Sequence, residues 1–369
     1  MSDAARRVLE RADELAGFTE EPGRITRPLA TPALAAAMAR VREWMVEARL
    51  EPVSDAMGNL VGRRGPAPRL IIGSHLDSVA DAGRYDGILG VLVGLEVAAA
   101  TDIPLEVVAF ADEEGLRFQS TFLGSRAYVG AITPEEEAMV GIELGAPLFD
   151  GASGYLEVHI EQGPVLVADG VPLGVVTAIF GQSRFTVTFT GEAAHAGTTP
   201  MTMRHDALAA AAEFVLAAER LAHETEGLVA TVGKLQIFSG AGNVVPGHVE
   251  LSLDVRHADD VARADAIATL QGVGRPGIDV RWTPIHHHEA TPCSPGLQAK
   301  LAEAVAATGQ PVLQLPSGAG HDAVTLSGLT DIAILFVRST GGSHNPGEAV
   351  TEPDVALAID VATRFACSI

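Results

Sequence analysis

The chain has 369 residues, 47% of them hydrophobic and 20% charged, which is enough apolar material for one sizeable core and a smaller second one, so two domains are expected. Its 47 acidic against 25 basic residues leave a formal charge of -22, with no basic block to track a phosphate backbone, and this argues against a nucleic-acid partner. Two cysteines, Cys293 and Cys367, make neither a disulfide framework nor a thiolate zinc site, and the charged, helix-like start MSDAARRVLERADEL lacks the apolar core of a signal peptide; the expected compartment is a reducing cytoplasm.

In chain order, RLIIGS (69–74) reads as a strand, GILGVLVGLEVAAA (87–100) as a helix, PLEVVAF (104–110) as a strand, the LGSRAYVG stretch as a helix and YLEVHI (155–160) as a strand. The helix at 87–100 is too short to cross a bilayer and is interrupted by Glu96, so no membrane span is expected. These strands are continuously apolar rather than alternating, the pattern of a largely parallel sheet covered by helices on both faces. Near Phe180 the pattern changes. RFTVTFT (184–190) sets Phe185, Val187 and Phe189 against Arg184, Thr186 and Thr188, and HVELSLDVR (248–256) alternates in the same way, as in a sheet with one buried face. Helices are expected at 205–222 and near 258–271, then a loop WTPIHHHEATPCSPG, a helix at 295–307, a strand IAILFV (332–337) and a terminal helix from about Asp354. The fold class is therefore α/β: a mainly parallel-sheet main domain covered by helices at 1–180 and 292–369, with an inserted α+β domain at 181–291. The two alternating strands are expected to offer a sheet edge to a second copy of the chain.

Three stretches of the first half carry metal-ligand chemistry: His75 in GSHLDSV, Asp86 in GRYDG, and Glu113 with Glu114 in ADEEG. Imidazole and carboxylate hold a divalent cation, while a spare carboxylate takes a proton from water. Asp77, in the His-x-Asp spacing, can accept the second N–H of His75 and fix its tautomer. Asp86 stands at a helix start, where an ordinary N-cap is the competing account. Adjacent Glu113 and Glu114 cannot both point the same way in extended chain, so one can ligate while the other faces water; a solvated acidic turn is the plainer reading. His159, in an apolar strand, and His344, in the Gly-rich STGGSHNPGE loop, are by themselves a core histidine and a turn residue. His75 and Glu113 fall past strand ends, where open α/β sheets bind ligands.

Taken in order, GSHLDSV, AGRYDGILGVL, ADEEGLRF, TFLGSRA, HIEQGPVL, GEAAHAGTTPM, NVVPG, SLDVRH, SGAGHDA and SHNPGE resemble the successive motifs of the amidase/hydantoinase/carbamoylase family of binuclear metallo-amidohydrolases, in the aminoacylase/carboxypeptidase superfamily. The resemblance implies two divalent metal ions per subunit, zinc or manganese with cobalt possible. His75, Asp86 and His159 would hold one ion, and Asp86, Glu114 and His344 the other, with Asp86 bridging. Glu113 would be the general base and Asp77 the partner of His75. In the inserted domain, cast by the family as lid and homodimerisation surface, His195 would help polarise the scissile carbonyl, in some members across the dimer interface. Asn243 and Arg256 would bind the substrate carboxylate. Arg256 suits that task by its guanidinium fork, although a salt bridge to a nearby acid competes. Gln162 and His321 are further candidates for contact with substrate, and Asp322 is equally explained by a helix N-terminus. His286, His287 and His288 lie in the expected hinge loop and match no motif.

The implied activity is hydrolysis of a linear amide or ureido (N-carbamoyl) bond in a small carboxylate substrate. Wording such as AGRYDG, TFLGSRA and GQSR is closest to members that release ammonia and carbon dioxide from allantoate in purine catabolism. Members acting on N-carbamoyl-L-amino acids are the alternative. A dipeptidase or aminoacylase, or a non-catalytic binder on the same scaffold, stands further off, since a binder has no use for a spare base such as Glu113.

Overall fold

The computed structural model describes residues 3–238 and 240–369. The chain divides into two compact units, Met1–Thr177 with Cys293–Ile369, and Ala178–Pro292. In the first unit, the strands Leu105–Phe110, Arg69–His75, Ala152–Ile160 and Ile332–Val337 lie side by side and parallel. Three of these four are buried at every residue, as continuous apolar runs require of a sheet shielded on both faces. The sheet continues antiparallel at both sides. The hairpin Glu51–Ser54 and Leu60–Arg64 adds to Leu105–Phe110, and Leu173–Ile179 adds to Ile332–Val337.

The helix Ile88–Ala100 packs on the parallel strands and against the helices Asp3–Ala16 and Glu352–Ala366. All its residues from Ile88 to Ala98 are buried, Glu96 included. That charge is tolerated because Arg7 reaches Oε2 at 2.6 Å and Arg11 reaches Oε1 at 3.4 Å. Among the described residues, no helix is long and apolar enough to cross a membrane.

The second unit is an antiparallel sheet in the order Leu235–Phe238, His248–His257, Gly181–Thr190, Asp279–His288, with Val229–Thr231 also on His248–His257. Alternation along His248–His257 is regular, with Val249, Leu251, Leu253 and Val255 buried. These side chains form a core with Val187, Phe189 and the helices Ala207–Glu224 and Asp260–Gln271. Asp206 and Asp259 cap the two helices, each accepting two backbone N–H groups.

The structure departs from two expectations. The two alternating strands are interior, so neither offers an edge; the open edges belong to Asp279–His288 on one side and to Val229–Thr231 and Leu235–Phe238 on the other. The stretch beginning WTPIHHH is not a loop, because Trp282 to His288 continue the strand Asp279–His288 with a register irregularity between Pro284 and His286. An edge position explains why proline is accepted there. His286, His287 and His288 thus sit on a strand of the second unit, not in a loop.

Candidate metal centre

All four parallel strands deliver a residue to one place at their carboxyl ends. His75 closes Arg69–His75, Glu113 and Glu114 follow Leu105–Phe110, His159 lies one residue before the end of Ala152–Ile160, and His344 is carried by the loop after Ile332–Val337. Asp86 comes from the segment before the helix Ile88–Ala100. Its Oδ1 lies 3.1 Å from His159 Nε2 and 3.7 Å from His75 Nε2, and its Oδ2 lies 3.4 Å from His344 Nε2. Glu114 Oε1 is 3.4 Å from the same His344 nitrogen. Two three-residue groups, His75/Asp86/His159 and Asp86/Glu114/His344, therefore converge with Asp86 common to both, and His75, Glu113 and Glu114 form a third.

Hydrogen bonds set the ring tautomers. His159 Nδ1 faces the Ile160 carbonyl at 2.9 Å, so a proton belongs on Nδ1 and Nε2 is the ring atom turned toward Asp86. His75 Nδ1 lies 3.4 Å from Asp77 Oδ1 and 3.2 Å from the Asp77 carbonyl, again leaving Nε2 as the donor atom. Asp77 also accepts the backbone N–H of Glu113 at 3.0 Å and of Glu114 at 3.2 Å. One carboxylate thus ties the orientation of His75 to the backbone that presents both glutamates.

The electrostatics show a surplus of buried negative groups. Burial pushes Glu113 well above the usual carboxyl range and Glu114 up to about 8, with neighbouring carboxylates adding to the rise. Burial also opposes ionisation of Asp86, but hydrogen bonds to His159 and His75 outweigh it and hold Asp86 well below its ordinary value. Desolvation pulls on His75 and His159 too, yet their carboxylate partners raise both. Bound cations relieve this kind of crowding, and the donor set, neutral imidazole Nε2 atoms with carboxylate oxygens, is of the type that holds divalent metal.

Gly87 makes the close approach possible. Its φ is +71°, and a Cβ there would stand 2.4 Å from His75 Nε2. Gly87→Ala, which also puts a side chain at a positive φ that glycine adopts far more readily, is expected to lower bound metal in elemental analysis. Full wild-type metal content in that variant would show that the strand and helix junction can yield.

Other expected site residues are placed as follows. Gln162 lies against Asp86, its Nε2 donating to Oδ2 at 3.0 Å and to Ser343 Oγ at 3.2 Å. His321 is buried with Nε2 on Ser317 Oγ at 2.8 Å and its ring edge-on to His159; burial holds it well below the usual imidazole value, hence neutral. Asp322 begins the short helix Ala323–Leu326 without capping it through its side chain. In the second unit, His195 and Asn243 are neighbours: Val244 pairs with His195, and Ala196 N donates to the Asn243 carbonyl at 2.9 Å. His195 Nδ1 accepts from Gly197 N at 3.0 Å and Thr198 N at 3.2 Å, which puts the ring proton on Nε2. Arg256 grips Asp254 through Nε and Nη2, each at 3.0 Å, so the competing salt bridge is present. Sequence reasoning assigned no role to Ser343 or Glu348. Ser343 Oγ donates to Asp86 Oδ2 at 2.5 Å, and Glu348 Oε1 accepts the backbone N–H of Tyr85 and Asp86.

Residues 71–368 match the family described as Peptidase family M20/M25/M40. A probable allantoate deiminase of Oryza sativa subsp. japonica is 37% identical over 94% of this chain and 84% of its own length. An N-carbamoyl-L-amino acid amidohydrolase of Geobacillus stearothermophilus is 38% identical over 96% of each chain. The crystal structure of a hydantoinase/carbamoylase-family amidase from Burkholderia multivorans superposes with a TM-score of 0.91 at 33% identity, covering 99% of this chain and 97% of that one. The chain belongs to Peptidase family M20/M25/M40, as a metal-dependent amidohydrolase of the hydantoinase/carbamoylase type.

Proposed function

We propose that this enzyme hydrolyses a linear ureido bond in a small carboxylate-bearing substrate, allantoate foremost, with release of ammonia and carbon dioxide. The observation that carries the reading is one carboxylate, Asp86, common to two ligand groups with Glu113 beside them. Each group would hold one divalent cation, zinc or manganese, or cobalt in their place. When bound, such ions polarise a carbonyl and acidify water.

Glu113 takes a proton from water as the water oxygen bonds to the carbonyl carbon, and passes it to the nitrogen as the carbon–nitrogen bond breaks. Asp77 keeps Glu113 in place through its backbone N–H. His195, protonated on Nε2, donates to the developing oxyanion, while Asn243 and Arg256 receive the substrate carboxylate. Gln162 and His321 complete the substrate contacts. Two free cysteines, one of them buried, suit a cytoplasmic enzyme.

Rates of metal-dependent ammonia release across a panel of ureido acids test the substrate. Allantoate should be turned over fastest, and no release from it would overturn the assignment. The second reading, an N-carbamoyl-L-amino acid, is favoured by the Geobacillus relative, which matches over almost the whole of both chains. Faster turnover of such a substrate than of allantoate would select it.

The second unit is proposed as lid and homodimer surface. Its edge strand Leu235–Phe238 leaves Leu235 and Ile237 exposed, as an edge awaiting a partner strand would. If His195 serves the partner's site, mixing inactive Glu113→Gln chains with inactive His195→Ala chains is expected to restore activity, since each mixed dimer has one site with both residues intact. Mass spectrometry of tagged chains first establishes exchange. Mixed dimers that form and stay inactive would place His195 in its own subunit's chemistry or outside it.

A further inference from the structure

The loop after Ile332–Val337 reaches Asp86 three times. His344, held at φ +58°, brings Nε2 to within 3.4 Å of Oδ2, and Ser343 donates to the same oxygen. Glu348 acts on the backbone instead: its Oε1 accepts the N–H of Tyr85 at 2.7 Å and of Asp86 at 3.1 Å. The loop is fixed at its base by the Thr340 to Ala349 bridge, and within by Asn345, which donates to the Gly341 carbonyl at 2.9 Å and accepts from Gly347 N at 2.8 Å. Glu348 is 4% exposed and fits only because residue 83 has no side chain, since a Cβ on Gly83 would lie 2.3 Å from its Cδ.

A carboxylate oxygen that holds two successive N–H groups fixes the peptide plane from which the Asp86 side chain departs. Asp86 has to face His75 and His159 with one oxygen and the Glu114 and His344 side with the other, so a small rotation of that peptide would spoil both groups together. We infer that Glu348 is a positioning residue for Asp86, fixing through two backbone hydrogen bonds the direction in which the shared carboxylate meets both ligand groups. This rests on the reading of Asp86 as a shared metal ligand.

The test uses the full chain, stripped of metal and titrated with zinc against a competing chelator, with cobalt absorption spectra in parallel. Glu348→Leu is expected to weaken zinc binding by about 10–100-fold, as loss of a ligand's supporting partner does, and to change the cobalt spectrum. Glu348→Gln, whose amide oxygen can still accept both N–H groups, is expected to recover most of that affinity and the native spectrum. Gly83→Ala, which displaces the carboxylate without removing it, should weaken zinc binding in the same direction, and its effect should not add to that of Glu348→Leu.

A folded Glu348→Leu chain with wild-type zinc affinity and an unchanged cobalt spectrum would overturn the inference, as would a glutamine variant no better than leucine. If the leucine variant fails to fold, Gly83→Ala decides alone, and wild-type affinity there overturns it. A wild-type chain that binds no zinc or cobalt tightly would remove the metal reading itself, an outcome distinct from the others.

Discussion

Glu113→Gln is expected to keep its bound metal and lose about 10²–10⁴-fold in kcat, the contribution usual for a positioned general base. The substitution keeps the size of the side chain and its contacts but removes the ability to accept a proton. Glu113 lies outside both groups that share Asp86, yet it also belongs to the group His75, Glu113 and Glu114, so its assignment as base rather than ligand is open to test. Burial raises its affinity for protons, which suits a group that must take one from water and release it to nitrogen within a turnover. Metal content and rate, measured on the same preparation, separate the possibilities. Full metal with activity near wild type would end the base assignment, and loss of metal would make Glu113 a ligand.

The parallel strands were legible because they are buried on both faces and so read as unbroken apolar runs, as in RLIIGS and IAILFV. The flanking antiparallel strands were not. Glu51–Ser54 and Leu60–Arg64 are short and half polar, and Asp279–His288 hides its alternation behind Pro284 and three histidines. All three lie toward a sheet edge, where sequence is constrained least. The candidate ligands were legible because their residue types have few other uses in such motifs, even though His159, buried in an apolar strand, would alone have passed for a core residue. Glu348 and Ser343 left no such signal. Their bonds reach 262 and 257 residues back along the chain to the backbone or a single oxygen of Asp86, and any sequence would satisfy a backbone N–H equally well.

Asp86→Ala should have an effect at least as large as that of Glu113→Gln, and of another kind. Each of the two groups that share Asp86 would fall to two residues, His75 with His159 and Glu114 with His344, too few to hold a divalent cation against water. Elemental analysis is therefore expected to find almost no metal in Asp86→Ala, but about one equivalent in His159→Ala and in His344→Ala, which each spoil a single group. Stability gives an independent readout. A cation that binds only the folded state stabilises it by about 2.7 kcal/mol at a hundredfold excess over Kd, so added zinc should raise the melting temperature of the wild type and leave that of Asp86→Ala unchanged. The metal-free melting temperature is not diagnostic by itself, because removing Asp86 also strips Gln162, Ser343 and His159 of their common partner. The comparison that decides is the same variant with and without zinc. If Asp86→Ala still takes up two equivalents and gains stability from them, the two groups do not depend on a shared carboxylate and the centre is built on other ligands.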